Sequence, residues 1–150
     1  RRQRQMCIRD SFGTMHSGNF SVHIGTDLVH IPTFATQLEQ PGSTFSRVFT
    51  DRELRTCAVK VDRVASLAAR WAAKEAYIKA WSQCLYGQPP VIGVDGVDFS
   101  EIEVVQDAFS RPSIELHGEV LRLGLSVASV SLSHDGDYAT ATVLVGGGHS

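Results

Sequence analysis

The chain has 150 residues, of which 43% are hydrophobic, and a formal net charge of −2. A chain of this size can bury the core of one compact domain, and its near-neutral charge argues against a general nucleic-acid binder. No apolar run reaches the length of a membrane span. From the charge and the apolar runs together, we expect neither nucleic acid nor a membrane among the partners. The three cysteines show no C-x-x-C spacing, which indicates reduced thiols in a cytoplasmic protein rather than a disulfide framework or a zinc site.

The first twenty residues carry four arginines but contain no apolar segment of the kind found in secretory signals. We interpret residues 1–20 as a disordered extension, either native or added by cloning. A basic arm that binds nucleic acid is the alternative, and four arginines favour it only weakly. The folded domain is then predicted over 21–146, followed by a loose glycine-rich tail over 147–150.

The first half of the domain is predicted to be one strand followed by helices. Residues 22–28, with the sequence "VHIGTDL", are typical of a strand that ends in polar residues. Proline is favoured in the first turn of a helix, so a short helix is predicted around Pro32. Thr50 and Glu53 match a capping box that begins a second short helix. A long, alanine-rich helix is predicted over 62–85.

The second half is predicted to consist mainly of strands. A hairpin is expected from strands near 102–105 and 113–117, followed by a helical turn over 119–123. Two β-rich segments, 126–133 and 138–145, are joined by a tight turn. Because helices and strands are mixed rather than strictly alternating, the predicted class is α+β, with one long helix packed on an antiparallel sheet.

A glutamate interrupts the apolar face of the long helix. At about 100° per residue, a set of apolar side chains gathers on one stripe that should face the core: Val64, Leu67, Ala68, Trp71, Ile78 and Leu85. Glu75 lies in the middle of this stripe, and Lys79 lies at its edge. An ionised carboxylate is costly to remove from water unless a cation or strong donors compensate it. Glu75 therefore needs a partner.

Two partners for Glu75 follow from the residues alone. Lys79 is one turn further on, and a helical Glu–Lys pair contributes about 0.2–0.5 kcal/mol, so a purely structural ion pair explains the pattern. The other candidate is a hard divalent cation, which prefers carboxylate oxygen and keeps positions open for phosphate and water. Such a cation would want a second carboxylate. Asp27 is the obvious donor, since Gly25 just before it allows close approach of another backbone.

Four segments stand in the order and spacing of a known family: "IGTDLVHI" at 24–31, "FTDRE" at 49–53, "ARWAAKEAYIKAW" at 69–81 and "VSLSHDGDYATATV" at 130–143. On these segments the sequence resembles the holo-acyl-carrier-protein synthases, the small bacterial 4'-phosphopantetheinyl transferases, and among them the actinobacterial members. The resemblance covers roughly residues 21–145. Its W-x-x-K-E-A-x-x-K-A motif is highly specific.

The resemblance implies roles for individual side chains. Asp27 and Glu75 match the two carboxylates that hold Mg²⁺ in the family, and Lys79 matches the lysine that meets the phosphates of coenzyme A. Arg70 and His134 match residues on the coenzyme side of the site. A solvent-facing helix arginine is the alternative for Arg70, and a turn histidine that caps its own hairpin is the alternative for His134.

Lys74 also belongs to the motif, but it points away from the Glu75 face by the rotation of one residue. The resemblance and the helical spacing leave two roles open for Lys74. One is structural, and the other is a secondary contact with coenzyme A.

The implied reaction transfers 4'-phosphopantetheine from coenzyme A to a serine of an apo acyl carrier protein or carrier domain, for fatty acid biosynthesis. Mg²⁺ would neutralise charge on the diphosphate, and Lys79 would stabilise the leaving adenosine 3',5'-bisphosphate. The general base is left open among a metal-activated water, Asp27 and Glu75. The family forms trimers with the coenzyme between neighbouring subunits, so a homotrimer is expected.

The docking surface for the carrier departs from the family pattern. There, the acidic helix of the carrier docks on a basic helix after the first strand, but segment 31–40 here contains no lysine or arginine. Thr33 stands where an arginine is common. We predict that docking has moved onto Arg47, Arg52 and Arg55, with ordinary surface arginines as the alternative. A free-standing carrier and a carrier domain of a large synthase are both compatible with the sequence.

Two functions of other classes stay open at this stage. A Mg²⁺-dependent nucleotide phosphohydrolase would use the same metal and phosphate groups, although only two carboxylates fall into a plausible cluster. A non-enzymatic module, in which Glu75 and Lys79 form a structural pair, is the other. Release of bisphosphate from coenzyme A without a carrier would indicate the hydrolase, and absence of coenzyme affinity would indicate the module.

Overall fold

The computed structural model describes residues 20–148, and the predictions for 1–19 and 149–150 lie outside this range. Within residues 20–148 there are five strands, β1 to β5 in order: Phe20–His30, Ile102–Gln106, Pro112–Leu116, Ser126–Asp135 and Tyr138–Gly148. The same residues form four α-helices, α1 to α4 in order: Ile31–Glu39, Asp51–Ala58, Arg63–Cys84 and Gly118–Leu123. Each element predicted within the domain is therefore present, with shifted ends.

Two antiparallel sheets define the architecture. β1, β5 and β4 form one sheet in that order, and β2 and β3 form a separate hairpin. Helix α3 lies across the larger sheet, with most of its strand contacts on β1 and β5, and it touches β2 on another side. The predicted α+β class is confirmed. In the described part of the chain, no helix is both long and apolar enough to cross a bilayer.

The helix ends follow the predicted capping chemistry. The Thr50 side chain accepts a hydrogen bond from Glu53 N, and the Glu53 side chain accepts one from Thr50 N, so the capping box of α2 is complete. Asp62, which the sequence analysis did not identify as a cap, caps α3 by accepting from Ala65 N at 3.0 Å. Pro32 stands in the first turn of α1. These local signals lie within four residues of each helix start, which is why sequence alone could find them.

The loose tail predicted over 147–150 is wrong for its first two residues. Gly147 pairs with Ser21 and Gly148 with Phe20, so β5 continues along the full length of β1. Glycine weakens a strand but keeps both backbone hydrogen-bonding groups, and the partner strand supplies the ladder that the sequence does not reveal. Phe20 takes part in this pairing, one residue before the predicted start of the domain.

The buried face of α3 is rotated relative to the predicted apolar stripe. Its fully buried positions are mostly alanines and include Ala72, Ala73, Ala76 and Ala80, together with Tyr77. Trp71, Glu75 and Ile78 are only half-buried, at the edge of that face. Small residues carry little weight in a hydrophobic stripe, yet they let a helix approach a sheet most closely. That preference decides the rotation of α3.

Candidate active site

The site lies where α3 crosses β1, and Gly25 sets how closely they approach. A Cβ atom at Gly25 would lie 1.9 Å from Ala76 O and 2.7 Å from Ala80 N, so only glycine fits there. Side chains alternate along a strand, which places Asp27 on the same face of β1 as Gly25. Glu75 and Lys79 each precede one of these two alanines on the helix. The predicted close approach at Gly25 is confirmed, and it brings the three charged residues together.

Lys79 pairs with Asp27 rather than with Glu75. Its ammonium donates to Asp27 Oδ1 at 2.9 Å and to Thr26 O at 3.1 Å. The Asp27 side chain is 9% exposed, whereas that of Lys79 is 56% exposed. The purely helical pair with Glu75 that the spacing allowed is thus replaced by a pair that crosses from helix to strand.

The second oxygen of Asp27 and the carboxyl of Glu75 make a compact acidic site. Asp27 Oδ2 is buried and accepts no hydrogen bond. Burial and, after it, the charge of the adjacent Asp27 carboxylate together raise the pKa of Glu75 to about 7, while Lys79 opposes the shift. The hydrogen bond to Asp27 raises the pKa of Lys79. Two carboxyl groups, with Asp27 Oδ2 free of hydrogen bonds, form a donor set that fits a hard divalent cation such as Mg²⁺.

The pKa of Glu75 predicts a pH-dependent gain in stability when this residue is replaced. In metal-free protein, folded Glu75 keeps its proton up to about pH 7, whereas the unfolded carboxyl releases it near 4.5. The unfolded state therefore binds fewer protons between these values, and stability falls as the pH rises. We expect Glu75→Gln to match the wild type near about pH 4 and to exceed it by roughly 1–2 kcal/mol near about pH 8, after allowance for solvent screening.

Urea unfolding in the presence of a chelator measures this difference. Asp95→Asn, which changes an acidic residue of the 92–98 loop, is the control and should show no such pH trend. An equal effect of Glu75→Gln at both pH values would contradict the assigned environment of Glu75.

Lys74 lies inside the protein, one position before Glu75. Its ammonium donates to Glu53 Oε1 at 2.8 Å, to Phe99 O at 3.0 Å and to Ile102 O at 2.6 Å. Burial lowers the pKa of Lys74, and Glu53 partly restores it. All three N–H groups of the ammonium are used by the protein. Of the two roles left open for Lys74, these contacts support the structural one.

Glu53 completes this buried junction, which the sequence analysis missed. Besides Lys74, its carboxylate accepts from Thr50 N at 3.0 Å and from Val104 N at 3.2 Å. The capping glutamate of α2 thereby joins α2, α3 and β2. The capping box was visible in the sequence, but its burial against a lysine 21 positions away was not.

Arg70 is buried rather than solvent-facing, so the alternative of a surface arginine is wrong. Its side chain is almost fully enclosed, and one guanidinium nitrogen donates to Ser66 O at 3.2 Å. The other two nitrogens, Nε and Nη2, are buried and have no acceptor. An unpaired buried guanidinium fits a site that receives an anionic group. The assignment of Arg70 to the coenzyme side stays a prediction.

His134 lies on β4 and not within the turn itself. It pairs in register with Ala139, and the tight turn is made at Gly136, whose φ is +56°. The register places His134 on the same sheet face as Asp27, two strands across and two residues along, or about 12 Å away between Cα atoms. It is exposed and does not contact the acidic site directly. Its contact with the nucleotide stays a prediction.

A second acidic group lies on the β2–β3 hairpin. One ligand atom from each of Glu103, Glu115 and His117 falls within 4.8 Å of the others. Glu103 already accepts from Thr50 Oγ1 at 2.5 Å and lies 3.3 Å from His117 Nε2. Arg52 lies 3.5 Å from Glu115 and 3.7 Å from Glu103. With these partners the group forms an ion-pair network. Arg52, one of the three arginines predicted to dock the carrier, belongs to this network.

The chain is similar to known proteins of one family. The family model of the 4'-phosphopantetheinyl transferase superfamily matches residues 23–143. The holo-[acyl-carrier-protein] synthase of Corynebacterium glutamicum is 53% identical over 131 residues, which cover 83% of this chain and 97% of that protein. The Mycobacterium tuberculosis protein of the same name is 45% identical over 126 residues, covering 83% and 95%.

Solved structures show the same likeness. The structure described as the Chronobacterium ammoniagenes ACPS-CoA complex aligns with a TM-score of 0.78 and 52% identity, covering 83% of this chain and 96% of that one. The acyl carrier protein synthase of Mycobacterium tuberculosis aligns with a TM-score of 0.68 and 36% identity, covering 86% and 100%. By family match, sequence identity and fold, this chain belongs to the 4'-phosphopantetheinyl transferase superfamily, among the holo-[acyl-carrier-protein] synthases.

Proposed function

We propose that this protein transfers 4'-phosphopantetheine from coenzyme A to a serine of an apo acyl carrier protein or carrier domain, for fatty acid biosynthesis in the cytoplasm. The observation that carries the proposal is the meeting of Asp27, Glu75 and Lys79 in a chain of this family, with Asp27 Oδ2 lacking any donor. The products are the holo carrier and adenosine 3',5'-bisphosphate.

Asp27 and Glu75 are the residues that would hold Mg²⁺. When bound, the ion supplies positive charge that offsets the charge of the diphosphate. To hold the ion, Glu75 would have to be deprotonated, and its pKa of about 7 allows loss of the proton near neutral pH.

Lys79 provides a mobile cation beside this pair. Its exposed stem can turn the ammonium from Asp27 toward a phosphate oxygen. In the reaction, the serine oxygen forms a bond to phosphorus, and the bond to the bridging diphosphate oxygen breaks. Lys79 then stabilises the negative charge that grows on the leaving bisphosphate. The serine proton passes to a base that the contacts of Asp27 and Glu75 do not single out.

A homotrimer forms the second part of the proposal. The outer face of the β1–β5–β4 sheet, which α3 does not cover, presents apolar side chains: Val22, Ile24, Leu28 and Tyr138, each at least half exposed. Exposed apolar patches of this kind mark contact surfaces. Sedimentation of the purified protein, with and without coenzyme A, determines the number of subunits.

The direct test of the function is the intact mass of an apo carrier after incubation with this protein, coenzyme A and Mg²⁺. Transfer adds the mass of phosphopantetheine to the carrier and requires the carrier for release of bisphosphate. Release from coenzyme A alone would indicate a hydrolase instead. No binding of coenzyme A at all would indicate a non-enzymatic module.

Lys79→Met should weaken coenzyme A binding and slow transfer by about 100-fold, because the point charge on the phosphates is lost. Lys79→Arg should recover only part of the rate, since a planar guanidinium does not reproduce an ammonium. Calorimetry and steady-state kinetics measure the two effects. Equal activity of Lys79→Met and the wild type would show that Lys79 has only a structural role.

Arg47→Glu tests the displaced docking surface. Arg47 is exposed on the 3₁₀ turn Phe45–Val48 and belongs to none of the ion pairs found among residues 20–148. We expect a several-fold higher KM for the carrier at low salt, an unchanged affinity for coenzyme A, and a smaller effect as salt rises. Arg122→Glu on α4 is the matched control. If both variants behave like the wild type at low salt, docking does not use Arg47.

A further inference from the structure

Asp27 lies in a strand that has few supports at this point. In the sheet order β1–β5–β4, β5 is the one hydrogen-bonded neighbour of β1 among residues 20–148. Gly25, two residues before Asp27, allows the close contact with α3. Glycine weakens a strand, however, because its backbone is freer and it has no side chain to pack. The backbone at Asp27 therefore gains from any contact beyond the regular ladder.

Two side chains bind the carbonyl groups on either side of Asp27. Lys79 donates to Thr26 O at 3.1 Å, and the Thr140 hydroxyl donates to Asp27 O at 2.8 Å. These carbonyls belong to the two peptide planes that meet at the Cα atom of Asp27. The φ and ψ angles of Asp27 are the rotations of these planes. The two bonds therefore fix the direction in which the carboxylate leaves the strand.

Thr140 reaches its carbonyl from the neighbouring strand. It lies on β5 directly before Ala141, the residue that pairs with Asp27. Ala141 is buried, and side chains alternate along a strand, so Thr140 lies on the outer face of the sheet, away from the acidic site. Thr26 makes the reciprocal bond, with its hydroxyl donating to Ala141 O at 3.1 Å. Both carbonyls of the Asp27–Ala141 pair thus accept a threonine hydroxyl from the opposite strand.

Resting on the metal role proposed above for Asp27, we propose that Thr140 is a positioning residue, which holds the Asp27 carboxylate in the direction that metal binding needs. Lys79 cannot do so throughout the reaction, because it is proposed to leave Asp27 for a phosphate oxygen. Thr140 has no second role of this kind, so its bond persists when Lys79 turns away. Loss of a partner that orients a metal ligand typically costs about 10–100-fold in metal affinity.

Thr140→Val tests this role, because valine keeps the shape and the strand preference of threonine but lacks the hydroxyl. Titration of the purified protein with Mn²⁺ alone, followed by the electron paramagnetic resonance of the free ion, measures metal affinity. We expect Thr140→Val to weaken Mn²⁺ binding by about tenfold. Thr140→Ser, which keeps the donor, should stay within about twofold of the wild type on the same grounds.

Thr142→Val is the matched control. Thr142 lies on the same strand and the same outer face, but it stands opposite Thr26 in the register and not beside the Asp27 carbonyl. Its loss of a hydroxyl should leave Mn²⁺ affinity unchanged. An unchanged affinity in Thr140→Val, an equal loss in Thr142→Val, or an equal loss in Thr140→Ser would overturn the proposal.

Amide hydrogen exchange tests the same hold on Asp27 without any metal. In the presence of a chelator, the amides of residues 26–28 should exchange several-fold faster in Thr140→Val than in the wild type or in Thr142→Val. Equal exchange in all three proteins would overturn the proposal. If the wild type binds no Mn²⁺, the metal role within the proposed function fails, and the exchange rates report separately on whether Thr140 holds Asp27.

Discussion

Glu75→Gln is expected to lower the transfer rate by at least about 1,000-fold while the protein stays folded. The glutamine side chain fills the same half-buried space beside Asp27, but its amide cannot supply a second negative oxygen to a divalent cation. Burial and the nearby Asp27 charge disfavour an ionised side chain at position 75, so a neutral glutamine there should not harm folding. Carrier mass and kinetics at limiting Mg²⁺ measure the loss.

Asp27→Asn should have the same effect, and the double variant should lose little more. Both carboxylates are proposed to serve one ion, and residues that act as a unit are not additive. Asp27→Asn also breaks the pair with Lys79, so a somewhat weaker affinity for coenzyme A is expected in addition. Near-full turnover of Glu75→Gln at limiting Mg²⁺ would refute the metal role.

Lys74→Met should produce the largest loss of stability, about 3–5 kcal/mol, because it leaves the buried Glu53 carboxylate without its cation. It also removes donors from two backbone carbonyls, at Phe99 and Ile102. The double variant Lys74→Met/Glu53→Gln should recover part of the loss, since the remaining amide is neutral and can still accept from the backbone. Urea unfolding of both variants gives the free energies.

The same variants separate the two roles that the sequence left open for Lys74. If its role is structural, the folded fraction at low temperature keeps the wild-type KM for coenzyme A. A large rise in this KM, measured where the variant is fully folded, would show a coenzyme contact instead. A loss of stability below about 1 kcal/mol would contradict the buried ion pair itself.

The parts of the site that were predictable are those that depend on short stretches of chain. The capping box at Thr50 and the glycine before Asp27 act over a few residues, and both were recognised for a physical reason. The partner of Lys79 depends on which strand crosses the helix. The spacing of residues along α3 carries no information about that strand. The family resemblance paired Asp27 with Glu75, but it did not show that Lys79 bridges to Asp27.

The rotation of α3 explains the remaining errors. A hydrophobic stripe weights large side chains, so it placed Glu75 at the centre and turned Lys74 outward. The alanines instead face the sheet, and this turns Lys74 into the interior. A buried lysine is rare without a partner, and its partner, Glu53, belongs to another helix. Only the tertiary contact reveals it.

The contact of Gly25 with Ala76 and Ala80 has a consequence for redesign. The approach of β1 to α3 is set there by two main chains, and no side chain acts as a spacer. Trimming core side chains can therefore not bring this part of the strand closer to the helix. Any larger residue at position 25 would wedge helix and strand apart, and with them the backbone positions of Asp27 and Glu75. Position 25 is thus closed to redesign of the acidic site, and changes of its geometry have to come from the side chains themselves.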